Sequence, residues 1–125
     1  MDENSVAHKV IGAALEVHRA LGPGLLESAY QACLARELGL QGIRFRQEVM
    51  IHVEYKGLTV ESAYRADFLI NDLVIVELKT VDNLLPVHRA QLLTYLKWSG
   101  LKLGLLVNFN TKLLKQGVQR VVNNL

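Results

Sequence analysis

Charged residues lie near the middle of the chain, in segments that otherwise have the sequence of buried strands. In VIVELKT, Glu77 and Lys79 follow a run of valine and isoleucine. Side chains two apart in a strand project from the same face, so this carboxylate and this ammonium group are predicted to be neighbours. Asp67, in YRADFLI, is the acidic residue of another mostly apolar run. Charges in such positions need a partner or a function.

The turn between these two predicted strands decides whether Asp67 faces Glu77. A two-residue turn would place Asp67 opposite Val76 and direct Glu77 to the other face of the sheet. A three-residue loop or a bulge would instead set Asp67 directly across from Glu77. Two carboxylates at that distance repel each other, and a hard divalent cation such as Mg²⁺ would relieve the repulsion while keeping several of its waters.

An acidic pair with a lysine beside it has the groups that metal-assisted phosphodiester hydrolysis needs. That reaction requires a positioned water and stabilisation of charge on the phosphoryl oxygens. An aspartate followed by Glu-x-Lys is a weak signal when it is taken alone. A solvated strand face with an ordinary cross-strand ion pair explains the same residues equally well.

Two helical patterns add candidate residues. Glu27 and Tyr30 in GLLESAY are three apart, and Gln91 and Tyr95 in AQLLTYL are four apart, so each pair shares one helix face. Each residue also has a structural explanation. Glu27 suits the first turn of a helix, the tyrosines suit a core in which their hydroxyls are hydrogen-bonded, and Gln91 suits an exposed surface.

Periodicity indicates the elements that position these residues. Apolar residues recur at helical spacing from Ser5 to about Ala20 and again from about Leu25 to Leu38, with LGPG between the two helices. Strand patterns follow in FRQEVMIHVEY, LTVESAYRADFLI and LVIVELK. PVHRAQLLTYLKWSG then predicts a helix, LKLGLLVNF predicts a strand, and the C-terminal tail is weakly helical.

This order of elements predicts an α/β fold with a mixed four-stranded sheet flanked by helices. The strand, helix, strand order near the C-terminus indicates a right-handed crossover, which places the last strand parallel to the VIVELK strand. Glu77 and Lys79 then lie towards the end of a central strand, where open α/β sheets bind ligands.

Composition limits the classes of protein that fit. The 125 residues suit one domain, spanning residues 1–125, and 50% hydrophobic with 21% charged residues is typical of an ordered globular chain. A single cysteine excludes an internal disulfide and a multi-cysteine zinc site. Acidic residues at the start and the lack of a long apolar run predict a cytoplasmic protein that does not enter a membrane. The net charge of +2 neither requires nor excludes nucleic acid.

The aspartate, the Glu-x-Lys motif and the Gln-x-x-x-Tyr motif together resemble the PD-(D/E)XK nuclease superfamily, and especially its RecB-like members. With the GLLESAY motif included, the chain more closely resembles the GxxExxY protein family, a bacterial group assigned to that superfamily, over roughly residues 5–120. Ala66 stands where the superfamily's name has proline, which affects the shape of the strand rather than the chemistry.

The resemblance implies a restriction-endonuclease-like core of order α-β-β-β-α-β and a Mg²⁺ or Mn²⁺ ion as cofactor. It assigns metal binding to the three carboxylates, a catalytic lysine, and a helical glutamine and tyrosine that line the site. These residues are Glu27, Asp67 and Glu77 for the metal, then Lys79, Gln91 and Tyr95.

The function expected on these grounds is metal-dependent hydrolysis of nucleic acid, with DNA favoured over RNA. Because cutting both strands of a duplex needs two sites, a two-fold homodimer is expected. The alternative is an inactive nucleic-acid-binding or protein-interaction module on the same fold, since fold does not imply function. A working site needs Asp67 and Glu77 on one face, and we further expect Gln91 and Tyr95 to be hydrogen-bonded in the cleft.

Overall fold

The computed structural model describes residues 2–125 as a five-stranded sheet flanked by helices. The helices and strands are α1 (Glu3–Leu21), α2 (Glu27–Leu40), β1 (Phe45–Tyr55), β2 (Leu58–Ile70), β3 (Val74–Lys79), α3 (Pro86–Ser99), β4 (Leu103–Asn108) and β5 (Val118–Val122). A 3-10 turn at Leu114–Gly117 precedes β5. No helix among these residues is both long and apolar enough to cross a bilayer.

The sheet has the order β1-β2-β3-β4-β5 and lies between two helical layers. Helices α1 and α2 cover one face, and α3 covers the other. On α1 the buried residues recur every three or four positions, which is the spacing of one helix face. They include Val6, Val10, Ala13, Ala14 and Val17.

Strand β3 is the centre of the sheet, with β2 antiparallel on one side and β4 parallel on the other. Val74, Val76 and Leu78 pack towards α1 and α2, while Ile75 packs towards α3. Coverage on both faces explains why its sequence is almost continuously apolar. By the same alternation, Glu77 belongs to the α3 face.

A three-residue loop, Asn71 to Leu73, joins β2 to β3 and sets their register. Asn71 and Asp72 both have left-handed backbone conformations, with φ of 52° and 56°. Phe68 therefore pairs with Val76, and the next position along the ladder sets Asp67 across from Glu77. Of the two turns that the sequence allows, the structure has the one that a shared acidic site requires.

The α/β class and the mixed sheet are confirmed, but the sheet has five strands rather than four. The predicted weakly helical tail is wrong for Val118–Val122, which pairs antiparallel with β4 from Val107 to Leu103. A five-residue segment carries too little periodicity to be assigned by itself, and the free edge of β4 decides its conformation. The tail has helical character only in its 3-10 turn.

Candidate active site

Asp67 and Glu77 hold each other in place through backbone hydrogen bonds that cross between β2 and β3. The Asp67 backbone N–H donates to Glu77 Oε1 at 2.9 Å, and the Leu78 backbone N–H donates to Asp67 Oδ2 at 2.8 Å. Side-chain oxygens thus take the place of ladder carbonyls just beyond the Phe68 and Val76 pair. Asp67 Oδ1 and Glu77 Oε2 are left out of these two bonds, so each carboxylate keeps an oxygen for another partner.

Strand β1 also separates from β2 at this point. Gln47 pairs with Phe68 and Val49 pairs with Ala66, but Glu48 between them adopts φ of 53°. A left-handed conformation is unfavourable for glutamate by about 1 kcal/mol or more, so the surrounding sheet must impose it. Asp67 therefore lies at the position where the regular pairing of β2 with both β1 and β3 is interrupted.

Burial dominates the electrostatics of this pair. Glu77 is 5% exposed, and burial, followed by the Asp67 carboxylate, raises its pKa to about 7. Hydrogen bonding to Tyr64 and to the Asp67 N–H, together with the Lys79 charge, opposes the rise. Burial also raises the pKa of Asp67, whereas the hydrogen bond from the Leu78 N–H and the charge of Lys79 lower it. In the absence of a cation, burial therefore favours the protonated form of both carboxylates.

Glu27 joins the acidic pair from the first turn of α2. Burial raises its pKa, the Asp67 carboxylate raises it further, and the Lys79 ammonium lowers it. Tyr30 helps to set the approach to this turn, because its hydroxyl donates to the Gly22 carbonyl and accepts from the Leu25 N–H. The structure thus brings together four predicted site residues, Glu27, Asp67, Glu77 and Lys79.

The three carboxylates are not arranged as a complete metal-binding site. Within residues 2–125, no three His, Cys, Asp or Glu side chains lie close enough to hold a metal ion together. The facing pair, Asp67 and Glu77, nevertheless suits a hard cation, since Mg²⁺ usually takes one or two carboxylates and keeps several waters. An all-oxygen donor set excludes the softer metals that prefer sulfur. The residues present therefore fit Mg²⁺ or Mn²⁺.

The two predicted site residues of α3 have different surroundings. The Tyr95 ring stacks on the Tyr64 ring, with centroids 3.2 Å apart and planes at 12°. Tyr64 in turn lies near enough to the Glu77 carboxylate for each group to shift the pKa of the other. The Gln91 side chain is exposed, and its amide makes no hydrogen bond to another residue in the described chain. The prediction that its amide is hydrogen-bonded in the cleft is therefore wrong, because the residue lies on a solvent-facing part of the helix.

Tyr64 and Glu48 are residues of the site that the sequence did not reveal. A tyrosine in an alternating strand is ordinary, since aromatic residues favour strands, and only the fold shows its proximity to Glu77. Glu48 also reads as a strand residue, although its charge raises the pKa of Asp67. Tyr64 is three residues before Asp67, and in a regular strand that spacing places two side chains on opposite faces, so the spacing provided no signal for it.

Comparison with known proteins identifies the class. The sequence model of the PD-(D/E)XK nuclease superfamily matches residues 4–121, and the chain belongs to that superfamily. The fold is similar to the crystal structure of SSO0001, with a TM-score of 0.59 and 24% sequence identity. That match covers 78% of this chain and 50% of the other, so the chain spans about half the length of SSO0001. No curated protein sequence matches the chain.

Proposed function

We propose that this chain hydrolyses phosphodiester bonds in nucleic acid with Mg²⁺ or Mn²⁺, and that DNA is a better substrate than RNA. The observation that carries the proposal is the interlocked pair of Asp67 and Glu77, with Lys79 two residues along the same strand. Membership of the nuclease superfamily supports the reaction class. The grouping with GxxExxY proteins belongs to the same proposal and rests on the GLLESAY motif.

The residues have separate roles in this proposal. Asp67 and Glu77 would bind the cation. Glu27, on α2, would contribute to the same site, either by contacting the ion or by accepting a hydrogen bond from one of its waters. The bound ion would polarise the phosphoryl group and lower the pKa of a water. Lys79 supplies positive charge next to the attacked phosphate and orients the water. The exposed amide of Gln91 is available to a substrate strand at the surface.

A cleavage assay on near-isosteric variants tests the proposal. Plasmid, single-stranded DNA and RNA of matched sequence are incubated with the full chain, with and without Mg²⁺ or Mn²⁺. Asp67→Asn and Glu77→Gln should each reduce cleavage by about 100-fold or more, and Glu77→Ala should abolish it. Glu61→Gln is the matched control, because Glu61 lies on β2 but is exposed. Metal-independent cleavage, or equal cleavage by Asp67→Asn, would refute the assignment.

An inactive binding module is the second candidate, and one observation favours it. Within the described residues, three carboxylates are not gathered into a metal site. On this alternative the acidic residues are structural, and the protein binds nucleic acid without cutting it. Retention of labelled DNA on a gel, with intact substrate in the presence of either metal, would select this function over hydrolysis.

We also propose that the active form is a two-fold homodimer. A domain of 125 residues covers little of a duplex, and cutting both strands requires two copies of the site. Light scattering at micromolar concentration should give twice the 14.0 kDa mass of the chain. A monomer under those conditions would refute the dimer without affecting the assignment of the site.

A further inference from the structure

We propose that Tyr64, held by Tyr95, is a positioning residue that fixes the Glu77 carboxylate for a divalent cation. On this proposal Tyr95, on α3, acts on the site through Tyr64, on β2. This inference rests on the proposed function, because it concerns the same acidic pair. It adds a residue that no motif contains and gives Tyr95 a different role from direct contact with substrate.

Three elements meet at these side chains. Tyr64 is on β2, Tyr95 is on α3 and Glu77 is on β3. The two rings stack with centroids 3.2 Å apart, and both pack against the buried cluster between α3 and the sheet. The Tyr64 ring is held against Tyr95 on the α3 side of the sheet, where Glu77 also lies, and its hydroxyl is near enough to the Glu77 carboxylate for each group to shift the pKa of the other.

Glu77 needs a second contact if its free oxygen is to be oriented. Its Oε1 accepts the Asp67 backbone N–H, which fixes one point of the carboxylate and leaves rotation about that point. A glutamate side chain has several rotatable bonds, and ordering them costs conformational entropy. A hydroxyl held by a stacked ring limits this motion before the cation binds. Groups that hydrogen-bond to metal ligands generally act in this way.

A purely structural role for the stack makes a different prediction. If Tyr64 only fills space between α3 and the sheet, its ring matters and its hydroxyl does not. Tyr64→Phe keeps the ring and removes the hydroxyl. Tyr95→Leu removes the stacking partner and leaves the Tyr64 hydroxyl present but less restrained. The two variants therefore separate orientation of the carboxylate from packing.

The experiment measures Mn²⁺ binding to the full chain without substrate, by isothermal titration calorimetry and by electron paramagnetic resonance. Tyr64→Phe should weaken Mn²⁺ binding by about 10-fold, and Tyr95→Leu should weaken it in the same direction. Tyr55→Phe is the control, because Tyr55 is an exposed tyrosine at the turn between β1 and β2. That variant should leave both the Tm and the Mn²⁺ affinity unchanged.

The outcomes separate this inference from the proposed function. Wild-type affinity in Tyr64→Phe, with metal-dependent cleavage intact in the wild type, would overturn the positioning role alone. Equal loss of affinity in Tyr55→Phe would also overturn it, since the effect would then not be specific to the Tyr64 hydroxyl. A wild-type chain that binds no Mn²⁺ and cuts no nucleic acid would overturn both. Circular dichroism of each variant verifies the fold, and Tyr64→Phe remains decisive if Tyr95→Leu does not fold.

Discussion

Glu77 is the residue on which most of the site's energetics depends. Its carboxylate is almost fully buried, yet its partners are a backbone N–H, a tyrosine hydroxyl and a lysine charge rather than a bonded cation. A buried carboxylate without a fully compensating charge favours its protonated form, which accounts for a pKa of about 7. At neutral pH the metal-free site is therefore close to the point at which this proton is lost.

This shifted pKa predicts how stability depends on pH. The ordinary pKa is 4.5 and the folded-state pKa is about 7, so between these values the folded chain binds the proton more tightly than the unfolded chain. The stabilising contribution is full below about pH 4.5 and is lost as pH rises through 7, with each pKa unit worth about 1.4 kcal/mol. In EDTA, the free energy of unfolding of wild type should thus fall relative to Glu77→Gln between pH 5 and 8.

Urea unfolding at several pH values provides the measurement. The control is Glu61→Gln, whose exposed side chain should give a curve parallel to that of wild type. If Glu77→Gln also runs parallel to wild type over this range, the buried carboxylate does not titrate as described.

Residue identities were more predictable than residue surroundings. The sequence predicts a site from the types and order of Glu27, Asp67, Glu77 and Lys79, and in the structure these four groups lie near enough for Asp67 and Lys79 to shift the pKa of both glutamates. The register between β2 and β3 was left open, because it depends on left-handed conformations at Asn71 and the next residue, which several turn types can supply. An exposed Gln91 was the alternative to one in the cleft, and the sequence could not decide between them because spacing places residues on one helix face without saying what covers that face.

At the scale of elements, α3 depends on a glycine in β4 for its close approach to the sheet. A Cβ added at Gly104 would lie 2.8 Å from Cγ and Cδ2 of Leu92. Leu92 is fully buried on α3, and the same helix carries Tyr95. A side chain at Gly104 would therefore push the helix away from the strand that adjoins the acidic site.

Gly104→Ala should accordingly destabilise the fold by about 1–3 kcal/mol, which is the usual effect of overpacking. Gly12→Ala is the control, since Gly12 is in α1, is exposed and has no atom within 4 Å of an added Cβ. That substitution should stabilise the helix by roughly 0.5–1 kcal/mol. The Tm of both variants is measured by thermal unfolding. A Tm of Gly104→Ala equal to that of Gly12→Ala would show that α3 adjusts without strain.

The exposed glutamine of α3 gives a second prediction for this helix. Gln91→Ala should leave the Tm unchanged, because the side chain is exposed and alanine is the better helix former. It should weaken cleavage if the amide contacts a substrate strand beside the acidic pair. The control is Lys97→Ala, an exposed position further along the same helix. Wild-type cleavage by Gln91→Ala at limiting substrate would remove this residue from the site.

For the whole molecule, the layered fold follows from patterns that the sequence shows clearly. The apolar stripe of α1 and the continuous apolar run of β3 each match the burial that the fold imposes. The fifth strand was not predictable in this way, because Val118–Val122 is short and acquires its conformation by pairing with β4. Long-range pairing also forces Glu48 out of the strand conformation, and local sequence does not encode that.

Cation binding should stabilise the whole chain, because the acidic pair is assembled only in the folded state. A ligand that binds the folded chain alone stabilises it by RT ln(1 + [L]/Kd), about 2.7 kcal/mol at a concentration of 100 Kd. For a chain of this length that corresponds to a rise in Tm of roughly 10 °C. Mn²⁺ or Mg²⁺ should therefore raise the Tm of wild type measured by calorimetry, and EDTA should reverse the rise.

The variants of the acidic pair show whether this stabilisation comes from the proposed site. Asp67→Asn and Glu77→Gln should each lose most of the metal-dependent rise, while Glu61→Gln should keep it. The rise should also decrease below pH 6, because the cation binds the carboxylate form and must displace a proton from Glu77, whose pKa is about 7. A metal-dependent rise that survives in both acidic variants would place the cation elsewhere on the molecule and separate metal binding from the interlocked pair.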